Sequence, residues 1–195
     1  MSLPFYPSTS SNPEHISSIV AGASHFLILT FPSSRLFSIG DNRYGQLGIP
    51  HSPTSITPSL IRIDTFDGIR IAQISAGAFH SVVLSEGGEV YLFGSDKEGQ
   101  CGGNGGGWEP TTNEEFGEIG DGQDEEASEI VQVRAAGEST FLRTRAGELW
   151  VCGASECFPS PCISLYDKVP DDLRGDDRSF RSIRSICEGK IHREV

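Results

Sequence analysis

Three histidines at matching positions of a recurring phrase are the residues to consider first for metal or proton chemistry. His25, His80 and His192 each follow a glycine by three residues, and Thr140 stands at that place in the third copy. Equivalent positions of a repeat lie apart in the folded array, so these rings are not expected to converge on one metal or substrate. We expect each imidazole to be buried and bonded to a neighbouring backbone group. A further histidine, His51, lies in a loop without an evident partner.

Cysteines offer a second route to metal binding. Cys152, Cys157 and Cys162 are spaced by five residues, and Cys187 follows later. This spacing differs from the close C-x-x-C pairs of structural zinc sites, and Cys152 lies in an apolar run. The pattern favours buried or incidental thiols and predicts no metal site. Five cysteines, an odd number at irregular spacing, fit a reducing compartment.

Catalytic motifs are missing from the sequence. The glycine run "GGNGGG" at 102–107 lacks the Lys-Ser or Lys-Thr of a phosphate-binding loop, and no nucleophile elbow or zinc-protease helix motif occurs. We therefore expect no catalytic residue, no cofactor and no enzyme that makes or breaks covalent bonds.

The phrase that carries the histidines is an internal repeat. "VAGASHFLIL", "SAGAFHSVVL" and "AAGESTFLRT" place glycines at 22, 77 and 137, and "ICEGKIH" begins a fourth copy at 189. A second run in each copy ends on glycine, and the first two copies continue as "DNRYGQLG" and "SDKEGQCG". Glycine is expected where the backbone needs positive φ or a close approach. The predicted structural positions are Gly22, His25, Gly40, Gly45, Gly48, Gly77, His80, Gly94, Gly99, Gly102, Gly137, Gly153, Gly189 and His192.

The repeat unit is predicted to be a small antiparallel sheet. Runs such as "HFLIL" and "LFSI" are short, rich in Val, Ile, Leu and Phe, and bounded by turns. Their apolar residues are consecutive, which indicates that both faces of each sheet are covered. Further runs at 59–63 and 69–75 bring the count near four strands per unit. The predicted fold is all-β, a partial β-propeller built of four-stranded antiparallel blades.

The signature AG-x-x-H, followed by G-x-x-x-x-GQ-x-G, resembles the repeat of the regulator of chromosome condensation family. The resemblance implies a seven-bladed β-propeller, and it implies that some members act as guanine-nucleotide exchange factors for small GTPases of the Ran type. It covers 16–153 well and 154–195 poorly, because "ASECFPSPC" replaces the glycine loop in the third copy.

The domain expectation follows from the repeat. Residues 1–15 form a flexible N-terminal segment and 16–195 a partial propeller, with units at about 16–70, 71–130 and 131–182 and the start of a fourth at 183–195. Seven units would need about 350 to 400 residues at this spacing, and the chain has 195. An open half ring exposes strand edges and apolar faces. We therefore expect a fragment, a truncated relative or an oligomer that associates through its open edges.

Charge is concentrated in one insertion. The chain has a net charge of -12, which disfavours direct binding to nucleic acid. Within an acidic, glycine-rich insertion at 103–129, residues 109–129 carry nine acids and no Lys or Arg. One interpretation is a solvated loop, and the other is a contact surface for a basic partner. The candidate partner-binding residues are Trp108, Glu114, Glu115, Phe116, Asp121, Asp124, Glu125 and Glu126.

Two functions remain open from the sequence. The first is a protein-interaction module that binds another protein through inter-blade loops and the acidic insertion. The alternative, implied by the family resemblance, is a guanine-nucleotide exchange factor, or a fragment of one, for a Ran-like small GTPase. The N-terminus lacks signal-peptide character, and no stretch reaches the roughly 18 apolar residues of a membrane span. We expect an intracellular protein, cytoplasmic or nuclear, that does not bind membranes.

Overall fold

The computed structural model of the chain describes residues 13–52, 55–102, 106–112, 128–153 and 163–164. This part of the chain contains twelve β-strands and one turn of 3-10 helix at Asp64–Phe66. The strands are β1 His15–Ala21, β2 His25–Phe31, β3 Leu36–Asp41, β4 Ile56–Arg62, β5 Ile71–Ala76, β6 His80–Ser85, β7 Val90–Gly94, β8 Gly107–Thr112, β9 Ile130–Ala136, β10 Ser139–Thr144, β11 Leu149–Gly153 and β12 Ile163–Ser164.

The strands form three four-stranded antiparallel sheets in chain order. Blade 1 contains β1 to β4, blade 2 contains β5 to β8, and blade 3 contains β9 to β12. Each strand pairs with the next along the chain, so every blade is a meander. The prediction of an all-β fold made of four-stranded antiparallel blades is confirmed.

Strand β8 corrects the expectation that the acidic stretch lies wholly in a loop. Trp108 and Glu109 belong to β8, which pairs with β7 through Tyr91 opposite Thr112 and Leu92 opposite Thr111. Without β8, the outer edge of β7 would present unpaired backbone groups, and tryptophan and threonine favour extended backbone. The strand therefore divides the predicted insertion, and the acids from 113 onwards follow it.

The meander sorts the connections of each blade to two opposite ends. At one end, called the loop end, lie the turns between the first two strands and the long loops 42–55 and 95–106. At the other, called the hairpin end, lie the turns at 32–35, 86–89 and 145–148, the linker 63–70, and the ends of β8 and β9 that flank residues 113–129. The described residues that flank the acidic stretch, Thr112 and Glu129, thus lie at the opposite end from the "DNRYGQLG" and "SDKEGQCG" loops.

Two hydrophobic clusters hold the blades together. Between blades 1 and 2, side chains such as Leu27 and Leu29 pack with Ile74, Val83 and Phe93. Between blades 2 and 3, a second cluster includes Val82, Leu92, Val133 and Leu142. Neighbouring residues of β6, for example Val82 and Val83, belong to different clusters because they point to opposite faces of the sheet. This explains why the apolar runs are consecutive rather than alternating.

A polar joint crosses each of these two interfaces. His25 Nε2 lies 2.9 Å from the Ser81 hydroxyl of blade 2, and that hydroxyl donates to the Gln46 carbonyl at 2.8 Å. His80 Nε2 likewise lies 2.9 Å from the Thr140 hydroxyl of blade 3, which donates to the Gln100 carbonyl at 2.8 Å. The expected backbone partner is therefore replaced by a side-chain hydroxyl, and the backbone carbonyl is reached through it.

The recurring spacing between glycine and histidine has a steric cause. A Cβ added at Gly22 would lie 2.3 Å from His25 Cε1, and one at Gly77 would lie 2.1 Å from His80 Cε1. Both distances are far below van der Waals contact. The imidazole and a backbone carbonyl of the next blade, that of Gly77 or Gly137, together occupy the space that a side chain at the glycine would need.

Strand pairing corrects the alignment of the third copy by one position. Ser139 pairs with Gly153 as His25 pairs with Gly40 and His80 with Gly94, so Ser139 occupies the histidine position. Thr140 consequently corresponds to Ser81 and supplies the hydroxyl of the joint.

Gly137 plays a different part from Gly22 and Gly77. Ala136 pairs with Ser139 and takes the place of the close-contact glycine. Gly137 comes one position later and has φ +56°, and a Cβ added there would have no atom within 4 Å among the described residues. The third blade therefore lacks both members of the glycine and histidine pair.

The steric pairing of Gly77 with His80 can be tested by a double-mutant cycle. We expect Gly77→Ala to lower the free energy of unfolding by about 1–3 kcal/mol, because the added methyl group collides with the imidazole. The variant Gly77→Ala/His80→Ser reproduces the residues of blade 3 and removes the collision with the ring, although the Gly137 carbonyl oxygen still lies 2.8 Å from the added Cβ.

Chemical denaturation of the four proteins of this cycle gives the coupling energy. The double variant should be more stable than the sum of the single effects predicts, by about 1 kcal/mol or more. Strictly additive effects would show that the ring does not exclude the side chain.

Candidate partner-binding surfaces

The joint histidines are neutral and structural. Because the Ser81 and Thr140 hydroxyls donate their only hydrogen to a carbonyl, His25 and His80 must donate from Nε2. Their Nδ1 atoms are buried and have no hydrogen-bond partner in the described part of the chain. Burial lowers the pKa of His25 to about 4, against a smaller opposing effect of Asp41, and lowers that of His80 to about 3.

Asn42 organises the loop end of blade 1. Its side-chain amide donates to the Ile49 carbonyl at 3.1 Å, and its Oδ1 accepts from the Leu47 amide at 3.0 Å. In blade 2 the Asp96 carboxylate accepts from the Cys101 amide at 2.7 Å in the corresponding loop. A side chain that spans the loop from the end of the third strand thus fixes each loop.

Gln46 and Gln100 connect these loops to the joints. Each is buried, and its Oε1 accepts an amide two residues before it, from Tyr44 and Glu98 respectively, at 2.9 Å. Each also offers its backbone carbonyl to the hydroxyl of the next blade. Sequence reasoning singled out the surrounding glycines and missed these glutamines, although the repeated "GQ" carried the signal.

Most predicted loop glycines adopt conformations that side chains rarely take. Positive φ occurs at Gly40, Gly45, Gly48, Gly94, Gly99, Gly102 and Gly153. A Cβ at Gly94 would also lie 2.5 Å from the Phe79 carbonyl oxygen and 3.2 Å from Gln46 Cβ. The end of the third strand therefore passes close to the glutamine of the preceding blade. Gly189 and His192 lie outside the described residues.

A groove of about 290 Å³ opens between the loops of blades 1 and 2. Tyr44 packs edge-on against Phe79 at 5.4 Å, and Lys97 Nζ lies 4.8 Å above the Tyr44 ring. Arg43 at the rim forms a 2.6 Å ion pair with Asp41, and hydrogen bonds from Arg43 hold the pKa of that carboxyl below its usual value. Exposed His51 also lines this groove. The groove offers an aromatic surface with charged rims, which suits side chains of a protein partner.

The hairpin end carries the attachment points of the acidic stretch. Strand β8 ends at Thr112 and β9 begins at Ile130, and both of these strand ends lie at the hairpin end. Glu129 pairs with Arg145 at 2.6 Å beside the second attachment point. Arg70 pairs with Glu86 at 2.9 Å on the same end. Arg145 is thus paired with the last acid of the stretch, whereas Arg70 is paired with a carboxylate outside it.

The predicted partner-binding residues fall mostly beyond the described chain. Trp108 lies in β8, and the rest of the set lies outside the described residues: Glu114, Glu115, Phe116, Asp121, Asp124, Glu125 and Glu126. Their role as a contact surface stays a prediction.

The cysteines that were considered for zinc do not meet in the described part of the chain. Cys152 is buried, with Sγ 3.9 Å from the Gln100 carbonyl, and Cys157, Cys162 and Cys187 lie outside the described residues. Within the described ranges no three metal-binding side chains cluster. Burial raises the pKa of the Cys101 thiol, which disfavours the reactive thiolate. A search of the same ranges for a helix long and apolar enough to cross a membrane finds none.

Stacked four-stranded meanders, joined face to face by repeated contacts, define a β-propeller repeat protein. Models of the regulator of chromosome condensation (RCC1) repeat match residues 33–84, and also 16–46 and 71–100. Residues 16–100 of the chain therefore match the repeat of the regulator of chromosome condensation family.

Individual relatives agree with this assignment. The RCC1 domain-containing protein 1 of Mus musculus is 39% identical over 79 residues, which are 40% of this chain and 20% of the relative. Human WBSCR16 superposes with a TM-score of 0.62 at 28% identity, covering 77% of this chain and 37% of the other. Prp20p of Saccharomyces cerevisiae, solved in a study of its binding to Gsp1p and histones, gives a TM-score of 0.58 at 22% identity, covering 71% and 33%. The chain thus spans between a fifth and two fifths of the length of these proteins.

The lowered histidine pKa values predict acid-sensitive stability. In the unfolded chain both rings bind protons below pH of about 6.5, whereas the folded joints resist protonation until pH of about 4 for His25 and about 3 for His80. The contribution of the neutral rings to the free energy of unfolding should be fully present above pH of about 6.5. It should be lost as the pH drops through this window, by up to about 1.4 kcal/mol per pH unit for each ring.

Denaturant titrations between neutral and acid pH measure this slope. In His80→Gln, which removes one titrating ring, the slope between pH 6.5 and 4 should be shallower than in the original chain. An equal slope in both proteins would exclude His80 as a source of the acid sensitivity.

Proposed function

We propose that this chain is a protein-interaction module whose acidic stretch at the hairpin end binds a basic protein. The observation that carries the proposal is the attachment of 113–129 to β8 and β9, strands of two blades that are packed against each other. A stretch fixed at both ends loses less conformational entropy on binding than a free tail does. Less of the free energy of the charge contacts is therefore offset by ordering the stretch.

Charge determines the class of partner. Nine acids without a basic residue in 109–129, on a chain of net charge -12, attract lysine and arginine and repel phosphate backbones. The resemblance to Prp20p supports this choice, because that protein was studied for binding to histones, which are basic proteins. The blades supply the rigid support, and the partner contacts come from the segments between strands.

Nucleotide exchange on a small GTPase is the second candidate. The same Prp20p study also concerns binding to Gsp1p, and the family resemblance implies exchange on Ran-type GTPases. Exchange requires tighter binding to the nucleotide-free GTPase than to the loaded form. Acids such as Asp121 and Glu126 would act by drawing a phosphate-binding lysine away from the nucleotide. Release of a fluorescent nucleotide from a Ran-type GTPase, unaccelerated by this chain, would leave only the interaction module.

The binding role can be tested with two charge-matched variants. Glu125→Gln/Glu126→Gln removes two charges from the acidic stretch, and Glu98→Gln/Glu138→Gln removes two exposed charges from the loop end. Using purified core histones as the probe, we expect the first variant to raise the dissociation constant about threefold to tenfold, since each exposed contact contributes up to about 1 kcal/mol. The second variant should bind nearly as tightly as the original chain.

Salt dependence provides the second readout of the same experiment. Replacing 113–127 by an uncharged linker of equal length should weaken binding further. The affinity of this variant should also depend less on the salt concentration than that of the original chain. If both double variants weaken binding equally, the effect belongs to net charge and not to the stretch. If the linker variant binds as well as the original chain, the proposed contact surface is wrong.

A further inference from the structure

One face of blade 1 is apolar and open. Within the described residues, the large apolar side chains that are most exposed all belong to blade 1, and Ile19 and Phe26 are 57% and 47% exposed. Ile28 pairs with both Ile19 and Phe37, and Phe26 pairs with Ile39, which places these five side chains on one side of the sheet. We call this set the open face: Ile19, Phe26, Ile28, Phe37 and Ile39.

The open face repeats the positions through which blade 2 contacts blade 1. Because His80 corresponds to His25 and Gly94 to Gly40, Val83 corresponds to Ile28 and Phe93 to Ile39. In blade 2 both of these side chains are fully buried in the cluster shared with blade 1. The open face therefore has the shape and chemistry of a surface that another sheet covers.

Phe26 distinguishes the open face from the other joints. It occupies the position of Ser81 and Thr140, the hydroxyls that accept from a histidine of the preceding blade. A phenyl ring cannot accept that hydrogen bond or pass it to a carbonyl. A covering sheet must consequently be apolar opposite Phe26 and must not present the joint histidine.

We propose that the open face binds the open face of a second copy of this chain, in a two-fold dimer. The five side chains are uncharged. Arg62 pairs with Phe37 at the β4 edge of this face, where Asp64 and Asp67 engage it, so two chains of net charge -12 can approach over β1 to β3 without burying like charges. In a two-fold arrangement each Phe26 meets an apolar face and no histidine, as its chemistry requires. Such an interface is self-complementary and closed, so it ends at two copies.

The area of the face sets the expected strength. Three strands, β1 to β3, about 4.8 Å apart and about seven residues long give a surface of about 340 Å². This matches the largest apolar patches of soluble monomers, about 300–600 Å², and is near half of the ~800 Å² that each partner contributes to a standard interface. We therefore expect a dimer with a dissociation constant in the micromolar range.

Sedimentation velocity across the micromolar range tests the proposal on the full chain. The original chain should pass from monomer to dimer, and Phe26→Ser should raise the dissociation constant more than about tenfold, the equivalent of about 1.4 kcal/mol. Phe31→Ser is the matched control, because Phe31 is similarly exposed at 44% but lies on the opposite side of β2, against His15. The control should dimerise like the original chain.

Charged substitutions at position 26 provide an independent test. Phe26→Asp and Phe26→Lys should each be monomeric, because each would bury a charge against the apolar face of the partner. Thermal melting of each variant checks that the blades remain folded. A monomeric original chain, equal effects of Phe26→Ser and Phe31→Ser, or a dimer that persists in both charged variants would each overturn the proposal. None of these outcomes depends on histone binding.

Discussion

The contact between blades depends on the steric pairing of a glycine with a histidine. Because the glycine has no side chain, the imidazole can lie directly over its backbone. The ring at His25 fills the volume above Gly22, and from there its Nε2 reaches the Ser81 hydroxyl of the next blade. Hydrophobic contacts supply much of the attraction between blades, but they are not directional. The hydrogen-bonded histidine fixes how one sheet sits on the next, because its geometry tolerates little displacement.

The same joint links the interior to the surface. The backbone carbonyl of Gln46 accepts a hydrogen bond from the Ser81 hydroxyl, and its side-chain Oε1 accepts one from the Tyr44 amide. Tyr44 in turn lies between Phe79 and Lys97 at the groove of the loop end. The position of a surface aromatic ring is thus determined by a contact that begins at a buried histidine. In blade 3 this chain of contacts stops, since Ser139 stands in the histidine position.

The fold could be predicted because its signals are local. Consecutive apolar residues in β2 and β6, turn glycines and the repeated phrase together require sheets that are covered on both faces, and the structure has them.

The burial of His25 and His80 followed from the same repeat. Their partners did not follow, because Ser81 and Thr140 come from another blade and only the register between sheets brings them near. The one-residue offset of Gly137 was hidden for a related reason, since only pairing with Gly153 reveals which residue faces which. Strand β8 was missed because its short run of Trp, Glu, Pro and Thr lies next to glycines and acids. Its extended conformation is favoured by pairing with the free edge of β7, and that edge exists only in the folded blade.

The loop end and the hairpin end are separated by the length of the strands, so ligands bound at the two ends would be held a fixed distance apart. Strands of five to seven residues hold the loop-end groove and the attachment points of the acidic stretch roughly 20 Å apart. Ligands at the two ends would share no contact residue and would not obstruct each other. The blades then act as a spacer, and occupancy at one end leaves the other free for simultaneous use.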